Sequence, residues 1–400
     1  MHSVTPPVPF SRRTPQLALM GAAYSNKDPH VMPLSYGYPA PECFPIDAIA
    51  QATESALRTQ GTTALQYTGG PGQQQVVSWI CQRSTLRHMS PETNQVLVTT
   101  GSMQAIDMAT RVLSDVGDEV WVEAPTFFGS IRSFTTNGLK VRSFPVDEQG
   151  LCVDAVEAAL EQAAQDNSPL PKLFYTMPNY QNPAGVSLSL ERRKKLAQLA
   201  LEYNFFILED DAYVELSFSG MYQPSIYSFA PERVVYISTF SKIIAPGLRM
   251  GWAIADSRIL EKMRLFKPDG LTSVFMQEVV GQLLMQMDFS AHLNRMASLY
   301  HVRCSHMVAE LRSQLGGDIE FQVPKGGYFV WARFAEGVDT SLMLPIALEC
   351  GVSYLDGKHF FLNGEGSRYA RLCFTYCDET QMSKAIAALA EAARTSQGKQ

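Results

Sequence analysis

The sequence lacks an apolar run long enough to cross a membrane, and it lacks a basic run of the kind that binds nucleic acid. Its most apolar helical stretch, residues 274–287, contains glutamine and glutamate and is too short to span a bilayer. The net charge of −6 also argues against a nucleic-acid partner. Residues 1–13 are rich in proline and serine and hold no apolar core, so we predict no signal peptide. We therefore expect a cytoplasmic protein with neither a membrane nor a nucleic acid as its partner.

Cysteine is scarce, and its spacing excludes the common disulfide and metal-binding patterns. The seven cysteines stand at positions 43, 81, 152, 304, 350, 373 and 377. The one close pair, Cys373 and Cys377, is not a CxxC motif. Scattered cysteines in odd number favour a reducing compartment. We predict no metal site.

The remaining composition is that of a globular protein, with 46% hydrophobic and 18% charged residues among 400. That length allows one large domain and one smaller one. We predict an N-terminal arm over residues 1–40, which contributes to the small domain or to the active site. A large ligand-binding domain is predicted over 41–287 and a small α+β domain over 288–400, where the alternation of strands and helices changes.

From about residue 95, predicted strands alternate with predicted helices. The strands are expected at residues 95–100, 119–122, 140–146, 172–177, 205–208 and 233–238. Strands separated by helices pair in parallel, which predicts an α/β fold with a mostly parallel sheet flanked by helices. In such sheets a ligand lies beyond the carboxyl ends of the strands. Four strand ends carry side chains that could contact one: Phe127, Asn182, Asp210 and Lys242.

The most informative stretch is the loop after the last of these strands, where Lys242 follows a buried apolar run. A lysine there is costly unless its charge is paired or removed, and a Schiff base with an aldehyde removes it. Thr239, Ser241 and Arg249 are donors that would suit a phosphate. An aldehyde and a phosphate together indicate pyridoxal 5′-phosphate (PLP). A single lysine in this place is more often a surface residue, so the prediction depends on the whole string.

Other residues match what PLP requires of a protein, although each also has an ordinary structural explanation. Asp210 could hold the proton on the pyridine nitrogen, and Ser102 opens a predicted helix whose N-terminus suits a phosphate. Phe127 could stack on the ring, and Asn182 and Tyr213 could bind the ring oxygen. Taken singly, Asp210 is equally well explained as a cap or turn residue, and Ser102, Phe127 and Asn182 are more often a helix cap, a core residue and a turn residue. Their order along the chain is what makes them indicative.

These segments together resemble the fold-type I PLP-dependent aminotransferases of class I/II. The matching strings cover residues 123–127, 178–185, 209–213 and 239–252, the last with the pattern Ser/Thr-x-Ser-Lys and then Gly-Leu-Arg-x-Gly. The resemblance extends from about Ser35 to Ala393. It is strongest to 2-aminoadipate and kynurenine aminotransferases and to the aminotransferase-like domain of MocR-type regulators. It implies a PLP transferase fold of type I.

The resemblance implies a role for each residue near the cofactor. Lys242 would form the Schiff base and then move the proton between Cα and C4′ of the cofactor. Asp210 would pair with the pyridine nitrogen, and Asn182 and Tyr213 would hold the ring oxygen. The catalytic residues would thus be Lys242, Asp210 and Tyr213. The phosphate-side residues would be Ser102, Met103, Thr239, Ser241 and Arg249.

Three further roles concern the substrate and a second subunit. Arg371 matches the arginine that binds the substrate α-carboxylate, a task suited to its bidentate fork. Without the resemblance, Arg371 would be interpreted as a solvated residue on a strand edge. Gly37 matches a glycine near the same carboxylate, and Asn182 also borders the substrate. Tyr67 matches a tyrosine that reaches the phosphate across the interface of a homodimer.

The sequence departs from the family pattern at four positions. Met103 replaces a frequent glutamine, and Phe127 replaces a tyrosine. Ala184 replaces a threonine, and Asp356 precedes a glycine where proline is usual. These changes bear on substrate choice more than on cofactor binding.

The resemblance implies an enzyme of amino acid metabolism that moves the amino group of an L-amino acid to a 2-oxo acid. The route would be ping-pong, through pyridoxamine phosphate. Elimination, decarboxylation, racemisation or oxidation on the same fold stays an alternative, since the fold does not select the reaction. Arg371 weighs mildly against decarboxylation. A regulator's effector-sensing domain is a weaker alternative, because only about 40 residues precede the match and they show no helix-turn-helix pattern.

Overall fold

The computed structural model describes residues 9, 28–267 and 272–398. Most of the predicted arm, residues 1–40, lies outside the described residues. The strands are β1 Met32–Pro33, β2 Val96–Thr99, β3 Glu119–Ala124, β4 Lys140–Asp147, β5 Gly150–Leu151, β6 Leu173–Thr176, β7 Phe206–Asp210, β8 Val234–Thr239, β9 Gly251–Ile254, β10 Ile319–Phe321, β11 Phe329–Phe334, β12 Val352–Ser353, β13 Leu355–Asp356 and β14 Tyr369–Cys373. The α-helices are Ile46–Ala64, Gln74–Ser84, Ser102–Leu113, Phe128–Thr136, Val153–Gln165, Leu190–Tyr203, Ser257–Leu265, Val274–Gln286, Phe289–Leu315, Thr340–Glu349 and Glu379–Gly398.

An eight-stranded sheet forms the centre of the fold, in the order β2-β9-β8-β7-β6-β3-β4-β5. The five strands from β8 to β4 pair in parallel. Every residue of β2, β6 and β8 is buried, as expected for apolar, β-branched runs covered by helices on both faces. The predicted α/β class, with a mostly parallel sheet flanked by helices, is confirmed.

One pairing differs from the prediction. The strand expected at residues 95–100 pairs only with β9, in antiparallel register, with Val98 opposite Trp252. β9 was not predicted, and it lies antiparallel to β8 as well, with Thr239 opposite Gly251. The chain between β8 and β9 contains only the lysine loop, which is too short for the crossover that parallel pairing needs. The expectation of parallel pairing for this strand was therefore wrong.

A second, four-stranded sheet has the order β10-β11-β14-β13, and all its pairs are antiparallel. Within this sheet β10 and β11 form an antiparallel hairpin, with Glu320 opposite Arg333. β1 pairs in parallel with β12, so the described end of the arm lies beside this part of the chain. The two larger sheets fall on either side of the predicted boundary at residue 287, and the domain limits themselves stay a prediction. Of the helices described, none is both long and apolar enough to cross a membrane.

Candidate active site

A cavity of about 370 Å³ lies at the carboxyl ends of the parallel strands. All the predicted site residues except Tyr67 line it. They are Gly37, Ser102, Met103, Phe127, Asn182, Asp210, Tyr213, Thr239, Ser241, Lys242, Arg249 and Arg371. Tyr67 is 94% exposed and does not border the cavity in this single chain. The strand ends therefore meet where the topology predicts that a ligand would lie.

Lys242 enters the cavity from a short helical turn, Phe240–Lys242, directly after β8. The Thr239 hydroxyl caps this turn by accepting a hydrogen bond from the Ser241 backbone N–H at 3.1 Å. The Lys242 amine donates to the carbonyl oxygen of Gly37 at 2.8 Å. Burial and the nearby Arg371 guanidinium lower the pKa of Lys242 to about 8. A substantial fraction of the amine is therefore uncharged near pH 8, as a nucleophile or base requires.

Asp210 ends β7 as a buried carboxylate with one open oxygen. Its Oδ2 accepts a hydrogen bond from the Tyr175 hydroxyl at 2.8 Å. Its Oδ1 is buried and has no hydrogen-bond partner within the part of the chain that the structure describes. Burial raises the pKa of Asp210 to about 6. A buried, unsatisfied oxygen in a cavity fits the protonated ring nitrogen of PLP, which would supply the missing donor.

The wall of the cavity also has the donors that a phosphate needs. Helix Ser102–Leu113 begins there, and its free N–H groups and dipole favour an anion. Gly101 precedes the helix at φ 83°, and a Cβ at this position would come within 2.9 Å of the Arg249 guanidinium. Glycine thus allows Arg249 to approach the helix N-terminus. The Thr239 hydroxyl donates to the Ser241 hydroxyl at 2.9 Å beside them. These groups fit the phosphate of PLP.

Arg371 lies in β14, between β11 and β13, and is 1% exposed. The structure therefore excludes a solvated residue on a strand edge. Its Nη1 donates to Asn182 Oδ1 at 3.0 Å and its Nη2 donates to the Ser35 carbonyl at 2.9 Å. The guanidinium lies 4.0 Å from the centroid of the Phe329 ring. These contacts fix a buried cation at the cavity wall, which is suited to a carboxylate.

Gly37 lies against the same guanidinium. A Cβ at this position would stand 3.2 Å from the Phe329 ring and 3.8 Å from Arg371 Nη2. A side chain there would narrow the space beside the arginine. Gly37 and Arg371 therefore border one small volume.

Several residues that line or support the cavity were not predicted from the sequence, and Tyr175 and Phe329 are the two that contact predicted site residues most directly. Tyr175 lies in β6 and was interpreted only as part of a buried strand, although it carries a polar group two residues before the strand-end loop. That polar group is the signal that could have identified it. Phe329 directly follows Tyr328, and nothing in its local pattern distinguishes it from an ordinary core aromatic.

The family model of aminotransferase class I and II matches residues 29–389. Aromatic-amino-acid aminotransferase 1 of Thermococcus litoralis is 35% identical over 90% of this chain and 87% of that protein. The crystal structure of a multiple substrate aminotransferase from Thermococcus profundus superposes with a TM-score of 0.90, at 33% identity and 98% coverage of both chains. The α-aminoadipate aminotransferase of Thermus thermophilus, complexed with N-(5′-phosphopyridoxyl)-L-leucine, gives a TM-score of 0.87 at 30% identity, covering 95% of this chain and 96% of that one. The chain therefore belongs to the class I and II aminotransferase family, as its motifs predicted.

Proposed function

We propose that this aminotransferase binds PLP in the cavity at the strand ends and transfers the amino group of an L-amino acid to a 2-oxo acid. One observation carries this assignment to the cavity. The same cavity is bordered by the Lys242 amine, the open oxygen of Asp210 and the helix N-terminus at Ser102, which favours an anion. The aldehyde, the ring nitrogen and the phosphate of PLP each find a suitable group there.

When bound, PLP supplies an electron-withdrawing ring that stabilises negative charge on the amino acid's Cα. Asp210 keeps the ring nitrogen protonated, and the donors around Ser102 and Arg249 hold the phosphate. Arg371 binds the substrate carboxylate and so orients the Cα–H bond. Lys242, when its amine is free, takes the proton from Cα, and the Gly37 carbonyl accepts a hydrogen bond from that amine. Because its pKa is lowered to about 8, a substantial fraction of the free amine is uncharged near pH 8 and able to accept a proton.

We further propose that the preferred donors have aromatic side chains. Tyr38 lines the cavity next to Gly37 and is 42% exposed. Its ring centroid lies 4.8 Å from that of Tyr36 and 6.2 Å from that of Tyr376. Such a group of rings favours another ring placed edge-to-face or offset. The T. litoralis relative, whose name states aromatic amino acids as its substrates, supports the same choice.

A survey of half-reactions tests both proposals. The PLP-loaded enzyme is mixed with single amino acids, and the loss of the cofactor's absorption band is followed together with release of the 2-oxo acid. We expect phenylalanine and tyrosine to react about tenfold faster than aspartate at low concentration, the effect of one good ring contact. The variant Tyr38→Leu keeps an apolar side chain and should lose most of that preference. Release of carbon dioxide or ammonia in place of an oxo acid would contradict transamination, and equal rates for all donors would contradict the aromatic preference.

We also propose a homodimer in which Tyr67 reaches the partner's phosphate site. Apolar side chains are exposed on and just after helix Ile46–Ala64, including Ile46 at 69% and Leu65 at 71%. Tyr67 follows them, and a surface of this kind is typical of a protein interface. The expected location in the cytoplasm stays a prediction.

Mixed subunits test the position of Tyr67. Tyr67→Phe alone should weaken PLP binding by about tenfold or more, because a hydrogen bond to a charged group is lost. A hybrid dimer pairs one Tyr67→Phe subunit with one Lys242→Ala subunit. If Tyr67 acts across the interface, one of its two sites combines Lys242 of the first subunit with Tyr67 of the second and is intact. Binding titrations of the mixture should then show sites with the parent affinity. Their absence in a mixture shown by sedimentation to contain hybrids would contradict the arrangement.

A further inference from the structure

We propose that Tyr175 is a positioning residue that fixes the Asp210 carboxylate for the cofactor. The inference rests on the proposed use of PLP, and it assigns a role to a residue that the sequence analysis placed only in a strand. Tyr175 does not line the cavity, so it would act through Asp210 rather than on the ligand.

The geometry ties the two side chains together across neighbouring strands. Tyr175 lies in β6 opposite Leu208 of β7, two residues before Asp210. Its hydroxyl donates to Asp210 Oδ2 at 2.8 Å, and both side chains are buried. The tyrosine ring packs edge-on against Phe134 with centroids 5.6 Å apart. The donor therefore has little freedom to move, and it restricts rotation of the carboxylate.

The bond also selects which oxygen of Asp210 stays open. Oδ2 is occupied by the tyrosine hydroxyl, while Oδ1 is buried without a partner among the described residues. Because burial makes an unsatisfied oxygen costly, a ligand that donates to Oδ1 gains the interaction that the chain withholds. A carboxylate held on one side is ready to accept on the other without reorganising.

The same bond affects the charge of Asp210. Burial raises its pKa and the neighbouring Asp211 carboxylate raises it further, whereas the Tyr175 hydroxyl, the nearby Ala212 backbone N–H and the Lys242 amine lower it. Glu123, whose own pKa burial raises to about 7, also faces Asp210. Loss of the tyrosine hydroxyl should therefore raise the pKa of Asp210 and leave more of it protonated at neutral pH. A protonated Asp210 cannot stabilise a protonated ring nitrogen.

The chain contains a matched control at the next carboxylate, Asp211. Tyr236 is as buried as Tyr175, and its hydroxyl donates to Asp211 Oδ2 at 3.1 Å. Asp211 Oδ1 accepts from the Asn179 amide at 2.7 Å, so both of its oxygens are satisfied by the chain. Asp211 does not line the cavity. Tyr236→Phe thus removes the same kind of bond without touching the ligand's carboxylate.

The experiment compares Tyr175→Phe, Tyr236→Phe and the parent enzyme by PLP titration between pH 6 and 9. Thermal unfolding of each apoprotein is measured in parallel. We expect Tyr175→Phe to bind PLP about 10- to 100-fold more weakly at pH 7, with a larger deficit at pH 6 than at pH 8. Tyr236→Phe should lose comparable thermal stability and stay within about threefold of the parent affinity.

Parent-like affinity and pH dependence in Tyr175→Phe would overturn the inference. Equal losses of affinity in both variants would also overturn it, because they would show a merely structural effect. Failure of the proposed function looks different: the parent enzyme itself would then not bind PLP. The titration of the parent therefore separates the two failures.

Discussion

Replacing Lys242 by alanine is expected to lower turnover by about 10⁴-fold, the upper end of what one positioned proton-transfer group contributes. Lys242 is the cavity amine whose pKa burial lowers to about 8, and its hydrogen bond to the Gly37 carbonyl holds it at the cavity wall. Alanine removes both the base and the point of covalent attachment. Steady-state rates with the best donor of the survey measure the loss.

The same variant should still bind PLP without a covalent link, because Asp210, Ser241 and Arg249 remain in place. Lys242→Arg is the control: it keeps a cation but supplies no base, since arginine stays protonated in proteins. It should be as inactive as the alanine variant. Turnover within tenfold of the parent in either variant would contradict the role given to Lys242.

Replacing Arg371 by alanine is expected to lower kcat/KM for amino acids by about 100- to 1,000-fold, mainly through KM. A buried, hydrogen-bonded charge pair loses about 2–5 kcal/mol when one partner is truncated, and about 1.4 kcal/mol corresponds to a factor of ten. Arg371 is 1% exposed and held by Asn182 and the Ser35 carbonyl, so it loses little freedom when it binds a carboxylate.

A matched pair of ligands separates carboxylate binding from general damage at this site. The parent enzyme should bind phenylalanine far more tightly than phenethylamine, which lacks the carboxylate. Arg371→Ala should bind the two with similar affinity, and Arg371→Lys should be intermediate because it keeps the charge without the fork. A variant that still prefers phenylalanine by the parent ratio would contradict the assignment.

The strand-end site could be predicted from the sequence because its signals are local. Asp210, Asn182 and Lys242 each follow an apolar run, and the rules of parallel sheets bring such ends together. In the structure these residues line one cavity. The local sequence did not predict β9, because Gly251–Ile254 is only a short run within the lysine segment. The direction of this strand depends on the length of the loop before it.

The position of Arg371 in the cavity wall could not be derived from the hydrophobic periodicity of the sequence. Its hydrogen bond to Asn182 joins residues 189 positions apart, in different parts of the fold. No periodicity reports such a contact, so only the family resemblance indicated it. The contact of Tyr175 with Asp210 could not be predicted either, because the two residues lie on neighbouring strands. The sequence of one strand alone does not determine its register with the next.

The most direct test of the proposed chemistry is to locate the cofactor's covalent attachment. The enzyme is loaded with PLP, reduced with borohydride, digested and examined by mass spectrometry. One phosphopyridoxyl group per chain on the peptide that contains Lys242, and its loss in Lys242→Ala, is the expected result. A label on another lysine, or no label on a protein that has bound PLP, would contradict the central role of Lys242.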